Sequence, residues 1–242
     1  MTEPIRIAMW SGPRNLSTAL MRSFGARSDC AVWDEPFYAA YLAATGLQHP
    51  MRAEVIAAGK TDPGAVARAC VGSVPDGKAV FYQKHMTHHM IPGFPRDWMD
   101  RVVNVFLIRD PARVVASYRA KRENPTLDDL GFVQQQALFD QAADRLGAVP
   151  PVVDAARVLD DPRAVLAALC DRIGIAFEEA MLSWPAGPRA DDGAWAPYWY
   201  KSVWASTGFA PPDRDPPRLD ADGERLADLA KPSYRALLAY AL

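Results

Sequence analysis

The sequence predicts an α/β fold, a parallel sheet flanked by helices. Short apolar runs rich in β-branched residues recur along the chain, and helix-period segments separate them. The clearest run, RVVNVFLI over 101–108, is nearly all apolar, as a parallel strand covered on both faces requires. The polar clusters fall at the ends of such runs, where parallel sheets hold their ligands.

Taken in order, Ile5–Trp10 (IRIAMW) reads as a buried strand with Arg6 as its one charge. Ser11, Gly12 and Pro13 punctuate it, and Leu16, Ala19, Leu20 and Phe24 then recur at helical spacing. Ala31–Trp33 is a second strand, ending in Asp34-Glu35-Pro36. Helical stretches are expected near 51–58 and 63–71, and a third strand over Ala79–Gln83. After the fourth strand, 101–108, Asp110-Pro111 supplies an N-cap and a first helical residue, opening a helix to about Lys121. One long helix is expected over Thr126–Leu146, then a short strand over Val152–Asp154 and a helix over Pro162–Ile173. Residues 184–217 are rich in Pro and Trp with weak periodicity and predict an irregular C-terminal lid. A last helix is expected from about Gly223, interrupted at Pro232.

Composition narrows the function. The chain has 242 residues, 50% hydrophobic and 23% charged, which excludes a disordered tail and a small disulfide scaffold. By length the chain is expected to form one large domain or two small ones, and a single α/β sheet running through it favours one domain over residues 1–242. The net charge of −2 argues against a nucleic-acid partner. Of 27 basic residues, 21 are Arg, the side chain suited to planar anion recognition. Cys30, Cys70 and Cys170 are widely spaced and read as buried thiols of a reducing compartment. No apolar run reaches the ~18 residues of a membrane span, and the N-terminus lacks a secretory pattern. A cytoplasmic protein with no membrane partner is expected; oligomeric state is left open.

Three clusters carry chemistry. In the first, a strand passes through Gly12, Pro13, Arg14, Asn15, Leu16, Ser17 and Thr18 into a helix. That turn directs free N–H groups and the positive helix end at one point, an anion site. The pattern of nucleoside triphosphatases is GxxxxGK(S/T). Here its Lys is missing and Leu16 stands where its second Gly would be, so Mg-ATP hydrolysis is disfavoured. In the second cluster Arg109 ends the strongest strand, and Ser117 follows eight residues later on a helix.

Together, the SGPRNLST loop and the IRDPARVVASY segment resemble the PAPS-dependent sulfotransferases. The resemblance implies a P-loop-type fold in which the first loop binds the 5′-phosphosulfate and Arg109 and Ser117 bind the 3′-phosphate. MWSGPRNLSTALMRSF, DEPFYAAYL and YQKHM are similar to a branch of that family whose members are sometimes fused to aminotransferase-like domains. Sulfotransferase loops commonly carry Gly at the position of Leu16, and this departure bears on donor use. PAPS or PAP is the implied cosubstrate, a small hydroxyl or amine compound the implied acceptor. The rival readings are a non-catalytic PAP-binding module and, less favoured, a kinase-like phosphotransferase.

The third cluster supplies reacting groups. Arg14 is the candidate for stabilising charge on the leaving oxygens, since it does not titrate. The acceptor's proton needs a base, and two candidates stand open: Glu35 after the second strand and His85 after the third. Lys84 is an alternative phosphate contact. His85, His88 and His89 invite a metal reading, but no carboxylate or Cys lies close enough in sequence to complete a set, so no metal is expected. Asp192-Gly193-Ala194-Trp195 stands where sulfotransferases carry a late loop that closes over the nucleotide, with Arg189 and Lys201 as further phosphate candidates.

Overall fold

The computed structural model describes residues 3–120 and 124–242. Five strands form one parallel sheet: β1 (Ile5–Ser11), β2 (Cys30–Asp34), β3 (Val80–Met86), β4 (Val103–Ile108) and β5 (Val152–Asp154), in the order β2-β3-β1-β4-β5. The α/β class with helices on both faces is therefore as the sequence predicts. Residue parity assigns each strand side chain to one of two cores. Ile7, Met9, Tyr82, Val105 and Leu107 face the helices Ser17–Gly25, Tyr38–Thr45 and Pro162–Ile173. Ala8, Trp10, Phe106 and Ile108 face Pro63–Cys70, Phe132–Leu146 and Ala221–Leu238.

β1 is central, and its carboxyl end meets those of β3 and β4: Ser11 lies opposite Met86 on one side and Leu107 on the other. The loop after β1 is thereby held where the segments after β3 and β4 also emerge. Asp110 caps the Pro111–Arg119 helix by accepting from Arg113 N at 3.1 Å. Asp161 does the same for Pro162–Ile173, accepting from Ala164 N at 3.0 Å.

Four elements differ from expectation. The long helix over Thr126–Leu146 is two helices, Leu127–Leu130 and Phe132–Leu146, parted by Gly131 at φ 71°. A Cβ on Gly131 would sit 2.6 Å from Thr87 Oγ1, which donates to the Gly131 carbonyl at 3.0 Å, so close approach and left-handed backbone both select glycine. The C-terminal helix Ala221–Leu238 continues through Pro232 without interruption. Helices Tyr38–Thr45 and Ala155–Asp160 were not expected. The expected end at Lys121 lies outside the described residues; the helix is described over Pro111–Arg119.

Among the described residues no helix is long and apolar enough to cross a membrane. The three cysteines are free and buried. Burial pushes the Cys30 thiol up to about 12, which makes it a poor nucleophile.

Candidate functional site

A cavity of about 250 Å³ opens at the carboxyl end of the sheet. The turn after β1 forms its floor. Arg14 and Leu16 both adopt positive φ, 60° and 55°, which bends the chain sharply into the Ser17–Gly25 helix. A left-handed non-glycine residue costs about 1–2 kcal/mol, and Leu16 recovers part of that by packing against the first core cluster. Leu16 caps the helix with no side-chain hydrogen bond, so the first-turn N–H groups remain for the cavity that Ser17, Thr18 and Ala19 line. Asn15 faces inward: its Nδ2 donates to the Leu107 carbonyl at 2.7 Å and ties the loop to β4.

The second cluster is bonded to the first. Arg14 Nε donates to Ser117 Oγ at 3.0 Å, and Arg109 Nη1 donates to the Arg14 carbonyl at 2.7 Å. Both arginines line the cavity. Burial lowers the pKa of each, and Arg113 and Arg14 lower that of Arg109 further. Among the described residues neither makes an ion pair with a carboxylate. Two half-buried guanidinium groups lining one cavity, neither paired with a carboxylate among the described residues, favour an anionic ligand there.

The third cluster separates. Glu35 lines the cavity at φ 43°, and Lys84 Nζ donates to it at 2.7 Å. Burial pushes the Glu35 carboxyl up to about 7, against the pull of Lys84. Lys84 loses hydration by burial, yet Asp34 and Glu35 hold its pKa well above the ordinary range. His85 lies on the opposite face of the sheet, because neighbouring residues of a strand point to opposite sides. Its ring stacks on Trp10 at 4.6 Å, packs beside Trp98 and Phe37, and meets Gln83 Oε1 at 3.2 Å. Burial pushes its pKa down to about 3. The expectation of His85 as a base is corrected: it does not line the cavity.

Gly12 is also absent from the cavity wall. Its importance is steric, since a Cβ there would lie 2.5 Å from the Leu130 carbonyl oxygen. Arg189 and Lys201 do not line the cavity either. His88 and His89 do, with ring centroids 4.4 Å apart, while His85 is on the other side of the sheet, so the three imidazoles do not converge.

On the opposite wall, the sequence pointed to the late loop at Trp195 but not to Tyr38, Tyr41 and His49. His89 stacks between Tyr38 and Tyr41, with centroids at 4.6 and 4.8 Å. Tyr38 Oη and His49 Nδ1 are 3.0 Å apart. Trp195, Trp199 and Tyr200 close the cavity from the C-terminal segment. Asp192 anchors that segment through a buried ion pair with Arg22 at 2.7 Å and accepts from Trp204 Nε1 at 2.9 Å.

The family is visible in comparison. Residues 5–241 match the family described as "Sulfotransferase domain", and the chain belongs to it. Its fold is that of solved sulfotransferase domains. The sulfotransferase domain of the Synechococcus PCC 7002 olefin synthase aligns with a TM-score of 0.57 at 17% identity, covering 100% of this chain and 97% of that one. A sulfotransferase from Alicyclobacillus acidocaldarius aligns with 0.56 at 14%, covering 99% and 96%. Two Arabidopsis thaliana proteins named branched-chain-amino-acid aminotransferase-like proteins 1 and 2 are 38% and 34% identical over 238 and 231 residues. These alignments cover 98% and 96% of this chain but only 42% and 41% of the relatives' own length.

Proposed function

We propose that the protein transfers a sulfuryl group from PAPS to a hydroxyl or amine of a small acceptor. One observation carries the reading: two arginines from separate turns, Arg14 and Arg109, are bonded to one another's segment at a single cavity and lack a carboxylate partner among the described residues. The residues fit a nucleotide with anionic groups at two places. The uncapped helix start with Ser17 and Thr18 suits the 5′ end, and Arg109 with Ser117 suits the 3′-phosphate.

When bound, PAPS supplies the sulfuryl group and departs as PAP. Arg14 holds the negative charge that grows on the leaving side, a role suited to a cation that keeps its proton. Glu35 accepts the proton of the acceptor's O–H or N–H, for which a pKa of about 7 is well matched. Tyr38, His49, His89 and Trp195 form a wall of rings for the acceptor. Trp195 and Trp199 limit the access of water, which would otherwise compete as acceptor.

Calorimetric titration with PAP, PAPS and Mg-ATP tests the reading. PAP should bind without metal, and PAPS should be consumed when hydroxyl and amine acceptors are supplied. PAP binding without turnover would leave a nucleotide-binding module, and a response to Mg-ATP alone would overturn the assignment.

A further inference from the structure

The ammonium of Lys84 is enclosed by three oxygens. It donates to Asp34 Oδ1 at 2.8 Å, Glu35 Oε1 at 2.7 Å and Tyr200 Oη at 2.6 Å. A lysine has three N–H donors, so the protein uses all of them. Tyr200 Oη in turn donates to Asp34 Oδ2 at 2.7 Å and accepts from Trp195 Nε1 at 3.1 Å. Asp34 Oδ2 also accepts from Gly193 N at 3.1 Å. Asp34 itself does not line the cavity, whereas Glu35, Lys84, Trp195 and Tyr200 do. A buried carboxylate with no access to ligand therefore shares its lysine with the carboxylate that has such access.

We propose that Asp34 is a positioning residue for Glu35: it takes a share of Lys84 and grips the C-terminal wall through Tyr200 and Gly193, so wall closure and the proton affinity of Glu35 are set by one lysine cage. The inference rests on the reading of Glu35 as proton acceptor and deepens it. The physical reason is competition. A single ammonium hydrogen-bonded to one carboxylate would hold that carboxylate ionised and weakly basic. Divided between two, it leaves Glu35 facing the negative charge of Asp34 as well. Burial raises the Glu35 carboxyl first and the Asp34 charge adds to it, against Lys84. The other charged or titratable groups lining the cavity are Arg14, Arg109 and Tyr118 across the floor and Tyr38, His49, His88 and His89 on the far wall, and Tyr82 is buried beside Lys84 and Asp34.

The test uses ligand-free protein carrying carboxyl-labelled glutamate, followed by NMR against pH, with the Glu35 signal identified by its loss in Glu35→Gln. In Asp34→Asn the competing charge is gone and Lys84 turns to Glu35, so the Glu35 midpoint should fall by about one pH unit. Tyr200→Phe keeps every charge but removes a donor from Asp34 Oδ2 and an acceptor from Lys84. The N–H freed on Lys84 turns to the Asp34 oxygen that lost its donor, so the ammonium moves toward Asp34, the Glu35 midpoint should rise, and the Trp195 indole N–H, its acceptor gone, should exchange faster. Opposite displacements are the signature, because general loosening moves both variants the same way. If Asp34→Asn fails to fold, the upward displacement in Tyr200→Phe carries the test alone. An unmoved Glu35 signal in the variants that fold, or displacement in one common direction, overturns the proposal. Because this titration needs neither PAPS nor turnover, its failure is distinct from a failure to bind PAP.

Discussion

The side chain of Arg109 holds the backbone of Arg14, through a 2.7 Å hydrogen bond from Nη1 to the Arg14 carbonyl. The two cavity-lining arginines are thus one assembly, closed by the contact from Arg14 Nε to Ser117 Oγ. Arg109→Ala should weaken PAP by about 10- to 100-fold, the worth of a charge-assisted contact of about 1.5–3 kcal/mol. Adenosine-5′-phosphosulfate has no 3′-phosphate and should lose less, feeling only the loosened loop. Calorimetry with both ligands checks this; equal losses would remove Arg109 from the 3′-phosphate.

Glu35 and His85 separate cleanly as candidates for the base. Glu35 lines the cavity, and its carboxyl stands at about 7, so it is protonated below that value and able to accept a proton above it. The rate of PAPS consumption should therefore rise with pH on an acid limb near neutrality. Glu35→Gln should lower kcat by about 100- to 10,000-fold while PAP affinity holds. His85→Gln, on the far side of the sheet, should leave kcat within about threefold in folded protein.

The parallel sheet was legible because β1 and β4 are nearly unbroken apolar runs, the mark of strands covered on both faces, and β3 opens on one. That property hid the orientation of His85. With both faces buried, no alternation of polar and apolar residues reveals that Lys84 points to the cavity and His85 away from it. The two turns that line the cavity were legible because each is local: a strand end, a helix start and the residues between. The anchoring of the C-terminal wall was not, since Asp34 meets Tyr200 across 166 positions and Arg22 meets Asp192 across 170. Gly131 was readable as a break, but helical periodicity on both sides masked it.

Gly12→Ala tests how the loop is seated. A methyl group there would lie 2.5 Å from the Leu130 carbonyl oxygen, a backbone atom that has no rotamer to yield. Either the loop lifts or the Leu127–Leu130 helix shifts. Destabilisation of about 1–3 kcal/mol is expected, measured by urea unfolding. PAP affinity should fall with it, because Arg14 and Asn15 follow two and three residues later. A variant of unchanged stability and affinity would show that the contact is slack.

Stability against pH should report the buried histidines. His85 falls from an ordinary value of 6.5 to about 3 through burial, and His89 is lowered in the same direction, by burial first and by the nearby titratable groups His88, His49 and Lys84. The unfolded chain takes up the His85 proton below about 6.5, whereas the folded chain stays neutral to about 3. The stabilising contribution is thus fully present above 6.5 and is lost as pH falls through that window, by up to about 1.4 kcal/mol per pH unit. His85→Phe keeps a ring among Trp10, Phe37 and Trp98 but carries no titrating group. It leaves Gln83 without its 3.2 Å partner, costing about 1–3 kcal/mol at neutral pH. Its urea midpoint should nevertheless fall less steeply than that of the parent as the pH is lowered toward about 4. Parallel slopes for the two proteins would mean that His85 is protonated in the folded state.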